Sequence, residues 1–443
     1  MEIKAAYWFR NDLRLEDNPS FLSACSSTNC LLPIYCHPPQ ATLTQWGFER
    51  IGAHRQFFLR DCISNLKQNL NAYGSSLIEL DADAADGCDE IRLLIETLTS
   101  MDINTVYCEA IAAPQEREQI DVLIKAGFTV HSVMQSTMID LDSLPFTVEQ
   151  MPNQFTQFRQ RIEKAKYRFT EPLASPFTIP PLPSKYDRIS LGDASTSKQA
   201  SGSNQAALAL RGESSFPYWE PLYCGGESAA LAHLTQYLDR ALPDSYKQTR
   251  NQLFGIDYSS KFSPWLAYGC ISARTIASRL QHFEERHGAT EGSYWLWFEL
   301  VWRDYFRVLH LKWGRQLYAA KGLSSARRPN HHPHAFERWC SGNTGESIVD
   351  AGMRELSLTG YLSNRLRQVV ASYLIYDLDC DWRAGAAWFE SQLIDYDVYS
   401  NQGNWLYIAG RGTDPRGGRR FNPQKQALDH DPNGIYRAMW LSR

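Results

Sequence analysis

The stretch from Thr105 to Val133, TVYCEAIAAPQEREQIDVLIKAGFTVHSV, decides the fold. Two short apolar runs, TVYCEA (105–110) and TVHSV (129–133), bracket a helix-like segment over 115–126. A strand followed by a helix and then another strand reads as a parallel crossover unit. Toward the N-terminus the rhythm repeats, with AAYWF (5–9), LLPIYC (31–36) and SSLIEL (75–80) alternating with helix-like stretches at 49–73 and 86–100. Residues 1–142 are therefore expected to form an α/β domain with a doubly wound parallel sheet covered on both faces by helices. Ligands of such sheets sit beyond the carboxyl ends of the strands.

The rest of the chain changes character twice. From about 143 to 215 it turns proline- and serine-rich, as in SPFTIPPLPSKYD and LGDASTSKQASGSNQ, and reads as a connector crossing the surface. From 216 to 443 helical periodicity dominates, for example in 226–241, 272–287, 293–313, 346–357 and 363–378, so an all-helical second domain is expected. That half holds eleven of the thirteen tryptophans, more than packing alone requires.

Several function classes drop out. No GxxxxGK[ST] is present and no GxGxxG follows an expected strand, which removes the two common phosphate-binding fingerprints. Ten cysteines show no CxxC and no spacing for zinc or iron–sulfur ligation, so no metal is expected and the thiols read as reduced. With no apolar run of membrane-spanning length, and MEIKAAYWFRNDLRLEDN unlike a signal peptide, the protein reads as cytoplasmic. The net charge of −4 hides an asymmetry. Residues 81–121 carry eleven acids against two arginines, whereas 303–338 carry eight Lys/Arg against two acids. The tail 403–443 has seven Lys/Arg against three acids, so the basic surface belongs to the helical half.

Three local patterns point to chemistry. In YSSKFSPWLAYG (258–269), Ser263 is expected to cap a helix with Pro264 at its first position, placing amides beside Ser259, Ser260 and Lys261 as an anion site. FELVWRDYFRVLHLKW reads as an amphipathic helix in which Glu299 and Arg303, four apart, form an intrahelical ion pair. SNRLRQVVASYLIYDL begins with Ser363 and Asn364 at the cap and places Arg365 and Arg367 in the first turns, where cations oppose the helix dipole and imply an anion nearby. DYDVYSNQGNW (395–405) crowds two carboxylates, an amide and an indole into eleven residues and matches no metal or hydrolytic pattern.

Taken together, WFRNDLRLEDNPSF (8–21), LPFTVEQMPNQFTQFRQRIE (144–163), YSSKFSPWLAYGCISAR (258–274), FELVWRDYFR (298–307), TGYLSNRLRQVVASYLIYDLDCDW (359–382) and DYDVYSNQGNWLYIAGRGTDPR (395–416) resemble the photolyase/cryptochrome family. The resemblance runs almost end to end and is strongest to the cryptochrome-DASH branch. It implies a photolyase-like architecture, with an antenna-binding α/β domain and an all-α domain binding FAD.

By the same resemblance, Tyr246, Ser259, Ser260, Lys261, Phe262 and Ser263 surround the FAD diphosphate, and Arg367 lies near the isoalloxazine. Asp395 and Asp397 hold ribityl, ribose or neighbouring groups, and Asn401 faces flavin N5, where an amide can exchange donor and acceptor roles. Trp405 is implied as the first electron donor to photoexcited flavin and Trp382 as the second. Glu299, Trp302, Arg303, Asn364, Arg365 and Gln368 are implied between flavin and a DNA lesion, with Tyr407 packing on flipped bases and Arg250, Arg365 and Arg416 on phosphates.

Five departures from the family pattern matter. Pro329 stands where the third, surface-proximal tryptophan is usual, so the relay stops at Trp382 or continues through another ring such as Trp339. Ile111 stands where many relatives carry the acid that holds a folate, which argues against a methenyltetrahydrofolate antenna, although Glu109 lies two residues away. Gln368 and Tyr407 replace the Met and Trp of many duplex-acting photolyases, and Leu366 replaces the Gly common in the branch.

The expected function is light-driven repair of cyclobutane pyrimidine dimers, preferring single-stranded DNA. The expected protein is a monomer, with RNA as a further partner. A blue-light photoreceptor is the alternative, and an ordinary flavin oxidoreductase lacks a pyridine-nucleotide fingerprint.

Overall fold

The computed structural model describes residues 3–39, 42–82, 89–165, 170–184, 213–414 and 416–442. Five strands, β1 (Lys4–Phe9), β2 (Cys30–His37), β3 (Ile78–Asp81), β4 (Thr105–Glu109) and β5 (Thr129–Val133), form one parallel sheet in the order β3-β2-β1-β4-β5. All five follow from the apolar runs: β1, β2 and β4 are buried along almost their whole length and need no polar alternation, whereas the edge strand β5 is largely exposed. The central register sets Ala6 beside Leu32 and Val106, and the strand order reverses between β1 and β4. Beyond the carboxyl ends of these two strands lies the crevice expected of such a sheet.

Four helices cover the sheet: α1 (Pro19–Ser27), α2 (Ala53–Ala72), α3 (Glu90–Ser100) and α4 (Pro114–Lys125). On one face Ala6, Trp8, Leu32, Ile34 and Val106 pack with Leu94, Leu98 and Leu123 into a core of their own. On the other, Tyr7, Phe9 and Leu31 pack with Phe21, Phe58 and Leu66 into a core continuous with the helical half. Each fully buried Phe or Leu there contributes roughly 1.5–3 kcal/mol, so the two halves share a common apolar foundation.

The expected connector is not featureless. Helix α5 (Phe155–Lys164) lies within it and seals its apolar edge, Phe155, Phe158 and Ile162, against the helical half. The tracts around 185–212, including LGDASTSKQASGSNQ, lie outside the described residues, as do Cys88 and Pro415.

The second half contains α6 (Glu227–Asp239), two short helices α7 (Tyr246–Thr249) and α8 (Ser263–Ala267), then α9 (Ala273–His287) and α10 (Glu291–Trp313). They are followed by α11 (Pro333–Cys340), α12 (Ser347–Thr359), α13 (Asn364–Tyr376), α14 (Trp382–Gln392), α15 (Val398–Ile408), α16 (Pro423–His430) and α17 (Ile435–Leu441). Helix α10 starts on a capping box, Thr290 with Ser293, which fixes its entry and runs it 23 residues through the domain centre.

Polar clasps lock the halves together. Asp304 on α10 accepts from the Met138 and Ile139 amides at 3.1 and 2.8 Å, and Arg274 pairs with Asp17 at 3.0 Å. At Gly269, with φ +64°, a Cβ would stand 2.0 Å from the Asn11 carbonyl oxygen, so only glycine lets this loop touch the β1–α1 turn. No helix among the described residues is long and apolar enough to cross a membrane.

Candidate functional site

Two adjoining cavities open in the helical half, between α10, α13, α15 and the segment before α8. The larger, about 370 Å³, is lined by Tyr246, residues 258–263, Glu299, Trp302, Arg303 and Tyr407, among others. The smaller, about 80 Å³, is lined by Asn401, Trp405, Phe389, Leu393 and Tyr396. Asn364, Arg367, Gln368, Asp395 and Asp397 belong to both, which makes the two one continuous site.

The two carboxylates of DYDVYSNQGNW have separate partners. Asp395 is buried, and its Oδ2 accepts from Arg367 Nη2 at 2.8 Å, while Oδ1 is buried without a hydrogen-bond partner. Arg367 therefore has the anion that its position in the first turn of α13 required, and it also donates to the Leu362 carbonyl at 2.8 Å. Asp397 caps α15 through the Ser400 amide at 2.7 Å and accepts from Arg307 Nη2 at 2.6 Å. The guanidiniums of Arg307 and Arg303, with the cap bond, outweigh burial and hold the Asp397 carboxyl down at about 2. Arg307 was not among the residues singled out from sequence; it stands four after Arg303 on α10, and that repeat was the available signal.

Asn401 donates from Nδ2 to the Ala386 carbonyl at 3.0 Å. A carbonyl can only accept, so this bond fixes the amide orientation and leaves Oδ1, an acceptor, as the side chain's remaining polar atom. Trp405 is buried, edge-on to Trp339 at 6.4 Å and to Phe389 at 5.1 Å. Trp382 is buried outside both cavities and donates its Nε1–H to the Ala320 carbonyl at 3.1 Å.

Two local expectations are corrected. Ser263 is the first residue of α8 and does not cap it; Phe262 occupies the cap without a side-chain bond, and Pro264 stands second. With only five residues, α8 adds little dipole, so anion binding rests on the 259–263 backbone and Lys261. Lys261 adopts φ +58° and is buried, its ammonium 3.4 Å from the Tyr258 ring centre and without a hydrogen-bond partner. Burial lowers its pKa well below the usual lysine range.

The intrahelical pair of Glu299 and Arg303 does not form. Glu299 pairs with Arg250, while Arg303 donates to the Ser136 and Leu266 carbonyls. Burial raises the Glu299 pKa against the opposing pull of Arg250. Burial and the neighbouring Arg307 lower Arg303 to about 10. Arg365 falls outside both cavities, where it donates to Asn251 at 2.9 Å and to Gln368 at 3.2 Å. Arg416 also lies outside them, largely exposed and paired with Asp414 at 3.2 Å.

Trp302 stacks on Phe155 of α5 at 3.6 Å with 10° between the rings and meets Tyr407 edge-on at 6.1 Å. Phe155 carried no signal in the sequence, because its partner is 147 residues away and the segment around it read as linker.

At the crevice beyond β1 and β4 lies a further cavity of about 270 Å³, walled by Trp8, Arg10, Tyr35, Ile111, Tyr268 and Tyr396 among others. Glu109 is not part of that wall. It is buried, with Oε2 unpaired and its pKa raised to about 8 by burial and by Asp12.

The chain matches two families in tandem: DNA photolyase over residues 5–180 and the FAD binding domain of DNA photolyase over 295–443. It is 38% identical to a protein named cryptochrome DASH from Idiomarina loihiensis, covering 98% of this chain and 91% of that one. To a cryptochrome DASH of Gloeobacter violaceus it is 39% identical, covering 98% and 84%. The crystal structure of a Synechocystis cryptochrome superposes with a TM-score of 0.86 at 36% identity, covering 99% of this chain and 88% of that one. A class III photolyase from Agrobacterium tumefaciens gives 0.74 at 25% identity, covering 100% and 87%. The chain belongs to the photolyase/cryptochrome family, nearest its cryptochrome-DASH branch, and its helical half contains an FAD-binding domain.

The residues present fit that cofactor. Asp395 Oδ1 is a buried acceptor in want of a donor, and a flavin or ribityl N–H or O–H group would supply one. In the larger cavity, the unpaired Lys261 side chain and the serine-rich 259–263 backbone suit a diphosphate.

Proposed function

We propose that this family member uses light to split cyclobutane pyrimidine dimers, chiefly in single-stranded DNA. The observation that carries this reading is the shared cavity. A carboxyl with a raised pKa, Glu299, and two aromatic rings, Trp302 and Tyr407, wall the same space as the residues that would hold the flavin. When bound, FAD supplies a light-driven electron donor to that space. The chain's own residues do the rest. Trp302 and Tyr407 would pack against the flipped bases, and Glu299 would hydrogen-bond the dimer and stabilise the negative charge that develops on it. Asp395, Asp397, Arg367 and Asn401 would orient the ring system, and Tyr246 with 259–263 would hold the diphosphate.

Arg250 has a double assignment. It neutralises Glu299 in the free protein, and a DNA phosphate would compete for it, leaving Glu299 in drier surroundings where its acid form can donate to the lesion. Arg365 and Arg416, outside the cavity, are the other candidates for phosphates.

The preference for single strands rests on Gln368 and Tyr407. A polar amide already accepting from Arg365, and a ring smaller than indole, grip an apolar dimer less well. Less binding energy is then available to pull it from a duplex, a cost that single strands do not impose. Electron refilling of Trp405 would run through Trp382 or through Trp339, and the edge contact of Trp405 with Trp339 favours the latter. A second chromophore would sit in the crevice beyond β1 and β4, where Ile111 in the wall disfavours a folate that needs a carboxylate there.

The test is repair of one defined thymine dimer by reduced, FAD-loaded protein under blue light, in single-stranded and matched duplex oligonucleotides. Repair mainly of the single strand is expected, falling at least tenfold in Glu299→Gln with FAD content unchanged. Absence of repair in both substrates would move the assignment to a light receptor.

A further inference from the structure

Behind the aromatic wall of the proposed lesion site lies a separate cavity of about 220 Å³ that none of the assigned roles uses. Trp302, Phe306 and Tyr407 line both spaces, so the partition between them is a single layer of rings. Tyr305, Leu309 and Leu406 supply further wall, and Phe155, stacked on Trp302 at 3.6 Å, belongs to the same aromatic partition. Its polar lining comprises Gln154, Thr413 and Asp414 together with the exposed Thr156 and Arg416.

The cavity is built, not a gap between loops. The Tyr305 hydroxyl donates to the Asn153 carbonyl just ahead of α5, and it lies 2.7 Å from Thr413 Oγ1. One buried hydroxyl thus ties α10 to the segment before α5 and to the 412–414 loop. The Phe155 stack covers one face of Trp302, which holds the partition upright. Asp414 in the lining is shared by Arg416 at 3.2 Å and Arg419 at 2.8 Å, so two guanidiniums stand against one carboxylate beside the cavity.

We propose that this cavity receives an unpaired base adjoining the lesion in a single strand, a reading that rests on the dimer-repair function above. A largely aromatic cavity that also carries hydrogen-bonding side chains matches the chemistry of a nucleobase, apolar on its faces and polar on its rim. A one-ring partition means that what enters the slot is a close neighbour along the chain of what fills the lesion site. The excess positive charge around Asp414 suits the intervening phosphate. In a duplex the same base is stacked and paired, and taking it out adds a second unstacking cost to that of the dimer. The slot therefore strengthens single-strand binding and does nothing for a matched duplex.

The experiment measures dark binding of FAD-loaded protein, by fluorescence anisotropy, to single strands carrying one thymine dimer. An abasic residue replaces the base on the 5′ side, the 3′ side or neither. Loss on one side only is expected, roughly 5- to 100-fold, the range for one stacked base. Thr156→Phe, which narrows the cavity, is expected to bind the intact strand as weakly as that abasic one. Equal binding of all three strands, or equal loss on both sides, would overturn the proposal whatever the dimer does. Should the protein fail to prefer dimer over undamaged strand yet remain sensitive to one abasic side, the slot stands and the repair reading falls.

Discussion

Replacing Asp397 by Asn isolates the electrostatic centre of the site. Asn remains a good helix cap, so the bond from the Ser400 amide survives and only the charge is removed. What is left behind is Arg307, whose side chain is 2% exposed and whose other bonds go to Ser136 Oγ at 3.0 Å and the Arg303 carbonyl at 3.2 Å. Neither partner carries a negative charge, and the Arg303 guanidinium lies close by. Removing one member of a buried ion pair in this way costs about 3–5 kcal/mol.

The pH dependence gives an independent figure. The Asp397 pKa is about 2 in the folded protein against an ordinary value of 3.8, which corresponds to about 2 kcal/mol of stability. Because the folded value is the lower one, that stability is present above about pH 5 and is lost as pH falls toward 2. Urea unfolding at pH 7 with fixed excess FAD, followed by tryptophan fluorescence, should place Asp397→Asn about 3–5 kcal/mol below wild type. The double variant Arg307→Met with Asp397→Asn should lose less than Asp397→Asn alone, since no unpaired charge remains. A single variant within 1 kcal/mol of wild type, or a double variant no better than the single, would refute the reasoning.

Two further outcomes follow from buried groups. Glu109 titrates near 8 in the folded chain, so folding takes up a proton there and stability should decline between about pH 5 and 8, by up to about 1.4 kcal/mol per pH unit. Glu109→Gln should flatten that slope in denaturant midpoints measured at both ends, and an unchanged slope would remove Glu109 as its source. At Gly385 a Cβ would stand 2.2 Å from Trp405 Cη2 and 2.5 Å from Leu374 Cδ2. Gly385→Ala should therefore cost about 1–3 kcal/mol and shift Trp405, read as a lower Tm together with slower light-driven flavin reduction; wild-type values for both would contradict the close contact.

The βαβ rhythm was legible because strands buried on both faces, such as β1, β2 and β4, are written as continuous apolar runs. The largely exposed edge strand β5 came out through its β-branched residues and its place after a helix-like stretch. Long amphipathic helices were legible for the corresponding reason. Contacts between distant segments left no mark. Glu299 and Arg303 look like a pair by spacing, yet Arg250, 49 residues upstream, takes Glu299, and buried carbonyls take Arg303. Ser263-Pro264 looks like a cap followed by a first helical residue, but the helix begins one residue earlier than that pattern implies. The tract after 143 looks like linker by composition, and its Phe155 turns out to brace Trp302. Local rules lost wherever a buried group found a better partner across the fold.

The crowding in DYDVYSNQGNW now has a physical account. Asp397, Asn401 and Trp405 are spaced by four residues, so on α15 they rise one turn apart along one face, toward the smaller cavity. The first of them caps that helix and is held by Arg307 from α10, which anchors the face at its start. The second is oriented by the Ala386 carbonyl and the third rests against Gly385, both on α14. Helix α14 therefore sets the rotation of α15 by contact, while α10 sets its position by charge. Asp395, just ahead of the cap, does the same for α13 through Arg367. One short segment thus ties three helices to the lining of one cavity, and a cofactor bound there meets groups whose positions are fixed before it arrives.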